Sequence, residues 1–298
     1  MYLGSPFTAD GLVSRAVKAH ADAVVKHIIK FTSFLSKNND VPFIVKKRVF
    51  DAALMSAVLY GCESWLNADV RPIAKLYHWA LKSLLGVRGT TCNDLCYVEL
   101  GYPTVQAIIK SRQRKFFKKM YSERRDIEDD PFIFALNLVT GQRYNTRRYV
   151  LELVNEDVND MQVGMGKVKE SLLASHSSRR KTYLEMNPNL TVNNIYMSKH
   201  NINERDRISF TRFRISGHSL AVEVGRWSRR GRGRLPLEER LCPCGEVQTE
   251  VHVAQHCILT QHIRDYYDFT LMSDLFSGRF TDSEASHIIN MILSVYMQ

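Results

Sequence analysis

The sequence has no apolar run approaching the roughly 18 residues of a membrane-spanning helix, and its N-terminus has no basic stretch leading into an apolar segment with a small-residue cleavage site. These absences speak against a membrane span and against export, so an intracellular protein is expected. Cysteine is too scarce and too clustered for a disulfide framework. Of the 6 present, Cys242, Cys244 and Cys257 crowd into one short stretch, while Cys62, Cys92 and Cys96 sit in apolar helical surroundings, the pattern of reduced thiols. There is no Gly-rich phosphate loop, nucleophile elbow or twin-histidine helix motif, and no internal repeat or long low-complexity run. Glu128-Asp129-Asp130 precedes Pro131 in a polar stretch without an apolar strand to hold it, which makes it a solvated acidic turn rather than a paired-metal carboxylate site. Cys92 and His78 share only the composition of a nucleophile pair, and a packed thiol accounts better for Cys92. No residue is expected to be catalytic.

What the sequence does contain is 45% hydrophobic and 24% charged residues over 298 positions, enough to bury a core in one or two domains. Its net charge of +10 is concentrated: residues 110–125 carry 8 basic side chains against Glu123 alone, and residues 199–240 carry 10 arginines and 1 lysine against 5 acids. Apolar residues recur at helical spacing over most of the length, and alternating strand patterns are short and rare, so the expected fold class is mainly α. Residues 12–36 read as one long amphipathic helix stopped by Asn38, Asn39 and Asp40. Helix restarts after Pro42 and runs to about residue 65, with Val49, Phe50, Leu54, Val58 and Tyr60 inward. Lys46, Lys47 and Arg48 stand near its N-terminus, where cations oppose the helix dipole and call for an external anion. A third helix over residues 72–86 turns Leu76, Trp79, Leu84 and Leu85 inward and ends at Gly86. Three antiparallel helices close a small bundle.

A loop and a short turn then lead to a fourth helix opened by Thr104, whose second half holds Arg112, Lys115 and Lys119 and must keep one face in water or on phosphate. Residues 126–203 are polar and interrupted by Pro131, Gly141, Gly164, Gly166 and Pro188, with short helical patterns near residues 145–155 and 166–175. Helix returns over residues 204–220, and two helical patterns, at residues 261–276 and 283–297, finish the chain.

Between residues 220 and 261, Cys242, Cys244, His252 and Cys257 form C-x-C-x7-H-x4-C, a concentration of thiolate and imidazole ligands that points to a tetrahedral zinc site. A segment this small has no core of its own, so the metal would supply its folding energy and act as a structural staple, all four positions being filled. The alternative is three buried thiols and a surface histidine, with the tight C-x-C as its support. For the fourth ligand, His256 lies one helical turn from His252, whereas Cys257 is a fifth neighbour and requires the helix to start or end locally; cysteine is the expected ligand, because thiolate binds zinc well and His256 can then be a solvated neighbour. Just upstream, Arg226, Arg229, Arg230, Arg232 and Arg234 fall within nine residues that contain no acid, and read as phosphate contacts with Trp227 available for base stacking. A solvated, flexible connector is the bland alternative for that stretch.

These residues resemble a known family. Tyr2-Leu3-Gly4, the run from Pro42 to Arg48 leading into Leu59-Tyr60-Gly61-Cys62-Glu63-Ser64-Trp65, and the segment from Glu239 through Cys242-Pro243-Cys244-Gly245 and Glu250-Val251-His252 to Cys257 look like the C-terminal portion of a non-LTR (LINE-type) retrotransposon reverse transcriptase. The resemblance implies a palm remnant at residues 1–11, a thumb-like helical bundle at 12–125, a polar helical connector at 126–203, a basic helix and arginine-glycine stretch at 204–240, a zinc knuckle at 241–266 and C-terminal helices at 267–298. It implies RNA or DNA as the partner, gripped during target-primed reverse transcription, with the nucleus as the compartment. The N-terminal polymerase palm would be a further partner if the chain is made as part of a longer one. The family's aromatic-x-Asp-Asp hairpin has no counterpart here, so the expectation is a nucleic-acid-binding fragment without polymerase activity. A zinc-stapled helical adaptor and a nonfunctional remnant of an element are the competing expectations.

Overall fold

The computed structural model describes residue 8 and residues 12–121, 146–197, 202–227 and 234–297. The Tyr2-Leu3-Gly4 tail, the acidic turn at residues 128–130, and Arg229, Arg230 and Arg232 lie outside the described residues. Among those described there are 13 α-helices and no strand. The chain divides into two compact units, each drawn from three separated stretches: Met1–Lys37, Lys47–Leu81 and Tyr102–Glu170 form the first, and Asn38–Lys46, Lys82–Gly101 and Ser171–Gln298 the second.

In the first unit, α1 (Val13–Lys37) buries Val17, Ala21, Val24, Ile28 and Phe31, one every three or four residues, so that a single stripe faces the core. Ile29 lies off that stripe and is exposed. The next helical run begins as α2 (Phe43–Val49), widens into a π-turn at Phe50–Leu54 and finishes as α3 (Met55–Val58). Its core residues are Phe50, Leu54, Met55 and Val58, whereas Tyr60, expected inward, is exposed past the helix end. Trp79 of α4 (Arg71–Leu85) is likewise exposed, whereas Ile73, Tyr77 and Ala80 are buried.

Three further helices complete this unit: α6 (Val105–Tyr121), α7 (Thr146–Asn155) and α8 (Asp160–Leu173). Phe117 and Tyr121 of α6 join Leu66 and the Val150 and Leu153 side chains of α7 in one apolar cluster. Arg114, in the basic half of α6, does not face water. Its guanidinium donates to the Leu153 and Glu156 carbonyls at 2.8 Å each, the unsatisfied C-terminal end of α7, and to both oxygens of Asp160 at 2.7 and 3.1 Å, in the first turn of α8. One cation thus satisfies a helix C-terminus and holds the carboxylate that favours the next helix's N-terminus. Helix α8 also runs straight through Gly164 and Gly166, which the sequence pattern treats as breaks. At Gly164 a Cβ would stand 2.5 Å from that of Ala107 on α6, so the glycine is a point of close helix contact.

The second unit contains α5 (Asn93–Leu100), where the sequence suggests only a loop and turn. Residues Leu95 to Leu100 are all buried, so the helix is enclosed on every side and shows no amphipathic period. With it belong α9 (Ser178–Met186), α10 (Glu204–Arg214), α11 (Ala221–Val224), α12 (Gln261–Tyr267) and α13 (Asp282–Ser294). Helices α10 and α13 are tied by Ser209 to Asn290 at 2.8 Å and by Asp206 to His287 at 3.2 Å, beside a core of Phe210, Phe213, Ile288, Ile289 and Ile292. A capping box of Thr281 and Glu284 starts α13. At the centre Glu99 is fully buried and accepts from Arg214 Nε at 2.7 Å and from the Tyr183 and Tyr196 hydroxyls at 2.8 Å each.

Lys46 belongs to this unit as well and is 0% exposed, its ammonium 3.0 Å from Glu204, which also takes Arg207 at 2.9 Å. The anion called for by the cationic first turn is therefore internal, and Lys46 is removed from the set of surface phosphate contacts. Burial works against the charge of Glu204, but Arg207 and Lys46 outweigh it and hold the carboxyl below its ordinary range.

Candidate metal centre

Residues 240–248 fold back as a tight hairpin because Gly245 supplies a backbone angle closed to other residues. Its φ is +99°, its N–H donates to the Cys242 carbonyl at 2.9 Å, and the Cys242 N–H donates to Glu246 O at 2.7 Å. A lone bridge pairs Leu241 with Val247, and the Gln248 N–H closes on Arg240 O at 2.9 Å. The short C-x-C spacing is accommodated in this way, with both thiols at the tip of the turn. Arg240 clips the hairpin to α11 by donating to Val222 O at 2.9 Å, and Gln248 Oε1 accepts from Ala221 N at 2.6 Å.

The second half of the site resolves the spacing problem between His252 and Cys257. Residues His252–His256 form a π-turn, and the Cys257 N–H donates to His252 O, five residues back, at 2.8 Å. The wider turn brings the fifth neighbour round to the side that an α-helix gives to the fourth. Thr249 Oγ1 accepts from His252 N at 3.0 Å and fixes the start of this segment. His256 consequently points out into solvent, as does His262, and neither joins the cluster.

The ligand atoms of Cys242, Cys244, His252 and Cys257 all lie within 4.8 Å of one another. Cys242 Sγ is 3.6 Å from Cys257 Sγ, Cys257 Sγ is 3.7 Å from Cys244 Sγ, and Cys244 Sγ is 3.2 Å from His252 Nε2. A sulfur–sulfur bond is about 2.05 Å, so these thiols are not disulfide-linked, whereas the edge of a tetrahedron with metal–sulfur arms of about 2.3 Å is roughly 3.8 Å. The four residues are thus spaced to hold one metal ion. Burial lowers the His252 imidazole and favours the neutral, ligating form. The thiols diverge: burial raises Cys242 to about 11, while at Cys257 burial is outweighed by neighbouring donors, the Tyr296 hydroxyl and the Leu259 amide before the other two thiols, and the net direction is down. Glu250, two residues before His252, accepts from Ser216 at 3.0 Å and faces His218 Nε2 at 2.9 Å, which anchors the segment to the end of α10.

The cationic residues singled out in the sequence meet different fates. Lys47 is half-buried, 3.7 Å from Asp51 and 4.7 Å from the Tyr102 ring centroid, and Arg48 is exposed. On α6, Lys115 and Lys119 are exposed, and Arg112 donates to Leu59 O at 3.4 Å; these three lie in the first unit. In the second unit Arg226 donates to Glu223 at 2.7 Å and to Ser178 Oγ at 2.7 Å, Trp227 is 45% exposed, and Arg234 is exposed. Beside the hairpin runs a groove of about 560 Å³ lined by Ser178, Arg179, Arg226, Arg234 and Arg240 among others. Arg179 is not among the cations that the sequence pattern singles out, although it belongs to a short basic run, Arg179-Arg180-Lys181, that could have marked it. Among the described residues no helix is long and apolar enough to cross a membrane. Compared with family models, curated proteins and solved structures, this chain finds no match.

Proposed function

We propose that this chain is a zinc-stapled nucleic-acid-binding module, the C-terminal part of a LINE-type reverse transcriptase that grips RNA or DNA without supplying polymerase chemistry. The observation that carries the proposal is the four-ligand cluster: the residues that converge to hold a metal are the same four on which the family resemblance rests most specifically. Three thiols and an imidazole at tetrahedral spacing are the donor set and geometry of structural zinc. Bound there, zinc would fix the hairpin and the π-turn to each other, and with four protein ligands it leaves no place for an activated water. The segment so fixed adjoins the arginine-lined groove, and the chain's net charge of +10 suits a polyanionic partner. The chain contains no aromatic-x-Asp-Asp sequence, and no primer extension is expected from it.

A zinc-stapled adaptor is the second reading. It is favoured by the internal ion pairs that engage Lys46, Arg114 and Arg226 and so reduce the free cationic surface. Two measurements on the purified protein separate the readings. Metal analysis should find one zinc per chain, lost in Cys257→Ser and kept in His256→Ala. Binding to labelled RNA and DNA, followed by anisotropy over a salt series, should give an affinity that falls linearly on a log–log plot. Replacing Arg229, Arg230 and Arg232 together with alanine should flatten that slope by roughly 0.7–0.9 for each phosphate no longer neutralised. One zinc with no salt-sensitive binding to any nucleic acid would move the protein to the adaptor class.

A further inference from the structure

We propose that the groove between the start of α9 and the hairpin of the metal centre seats single-stranded nucleic acid, with Trp227 stacking on a base while Arg179, Arg226 and Arg234 take the flanking phosphates. This inference rests on the nucleic-acid reading above and gives it a ligand class and a place.

The first support is how the guanidinium groups are held. Glu223, only 2% exposed, receives Arg179 Nε at 2.6 Å and also Arg179 Nη2, and receives Arg226 Nε at 2.7 Å. Ser178 Oγ takes Arg226 Nη2 at 2.7 Å. A guanidinium carries five N–H donors in a rigid fork, and Glu223 engages one edge of each, orienting two forks that a flexible surface arginine would have to immobilise on binding. Arg240 forms the floor, tied to Leu235 O at 3.1 and 2.6 Å and to Val222 O at 2.9 Å. Arg179, Arg226, Arg234 and Arg240 all line the groove, and together they set a positive field that suits an incoming phosphate. The first turn of α9 begins at Ser178, so the positive end of its dipole adds to that field.

Trp227 supplies the second support. The Arg179 guanidinium carbon lies 5.8 Å from the indole ring centroid, and the ring remains 45% exposed beside a groove of about 560 Å³. An indole steadied by a cation and left open to solvent is a stacking platform for any base, because every base has a π-face. In a duplex those faces are covered by neighbouring bases, so the platform selects single strands. Glu185 and Glu250 also line the groove, which limits it to a short run of phosphates.

The test uses the 298-residue chain, a labelled single strand of roughly 12 nucleotides and the duplex of the same sequence, with zinc content as the check on folding. Trp227→Ala should weaken single-strand binding roughly 5- to 150-fold and leave duplex binding within about twofold, and Trp227→Phe should restore most of the loss. Since Arg179→Ala alone would leave buried Glu223 with Arg226 as its one remaining ion-pair partner among the described residues, the double variant Arg179→Ala/Glu223→Gln is paired with the tryptophan variant. The double variant should flatten the single-strand salt slope by roughly 0.7. If the wild-type protein binds while both variants bind equally well, the groove is not the seat and the broader nucleic-acid reading survives. Equal losses on single strand and duplex would likewise overturn the single-strand assignment. Failure of the wild-type protein to bind either form would sink the inference and the reading together.

Discussion

At the scale of the residue, the metal centre depends on one backbone angle as much as on its four ligands. Gly245 has φ +99°, and nothing lies within 4 Å of where its Cβ would be, so a substitution there meets no steric neighbour and its cost is conformational alone. Gly245→Ala should therefore cost about 1–2 kcal/mol, felt as weaker metal binding because this turn places the two thiols. Competition against a chromophoric chelator should show the affinity lowered by about 5- to 30-fold, with the one-to-one stoichiometry kept. Unchanged affinity would mean that the turn does not limit the site.

At the scale of the element, two glycines two residues apart in α8 give opposite predictions. Gly164 faces Ala107 across a helix contact where a Cβ would sit 2.5 Å from its neighbour, whereas Gly166 has nothing within 4 Å. Gly164→Ala should destabilise the protein by about 1–3 kcal/mol through overpacking, and Gly166→Ala should stabilise it by up to about 1 kcal/mol through helix propensity. Urea unfolding of the two variants beside the wild type tests the pair, and similar midpoints would show that α6 and α8 do not pack as described. The joint at Arg114 works at the same scale, since it exists only because the end of α7 and the start of α8 both present their charge to α6.

At the scale of the whole molecule, buried ion pairs join residues distant in sequence. Glu99 and Arg214 are 115 residues apart and essentially unexposed. Glu99→Gln leaves the guanidinium without its counter-charge and should cost about 3–5 kcal/mol in equilibrium unfolding; a change below about 1 kcal/mol would mean that the pair behaves as an exposed one. Acid should act through Glu204. Its folded-state pKa lies below the ordinary 4.5, so the stabilisation it brings is fully present above that value and is lost as the pH falls through the folded pKa. Glu204→Gln should be less stable than the wild type at pH near 6, with the gap closing as the solution is acidified towards pH 3. A gap that stays constant over that range would show that the carboxylate's charge contributes nothing.

The sequence by itself determined the helical class and the four residues that converge as a candidate metal site. Periodic apolar residues locate α1, α4, α6 and α13 to within a few positions, and thiol and imidazole chemistry names Cys242, Cys244, His252 and Cys257. Both signals are local: an amphipathic stripe or a ligand cluster is written within one or two dozen residues. What the tertiary structure alone decided is wherever a side chain's partner lies far along the chain. It showed how Cys257, the ligand expected from thiolate chemistry, reaches the other three through one widened turn, and showed α5 to be a helix that is hidden from pattern reading because it is buried on all sides. It also sorted the cations, closing Lys46 on Glu204 and Arg114 on Asp160 while bringing Arg179 to Trp227 from 48 residues upstream (227 − 179). A charge run has no period and carries no record of its counter-ion. Whether it faces solvent, a carboxylate or an indole is fixed only when elements distant in sequence pack together and the cost of burying each charge selects its partner.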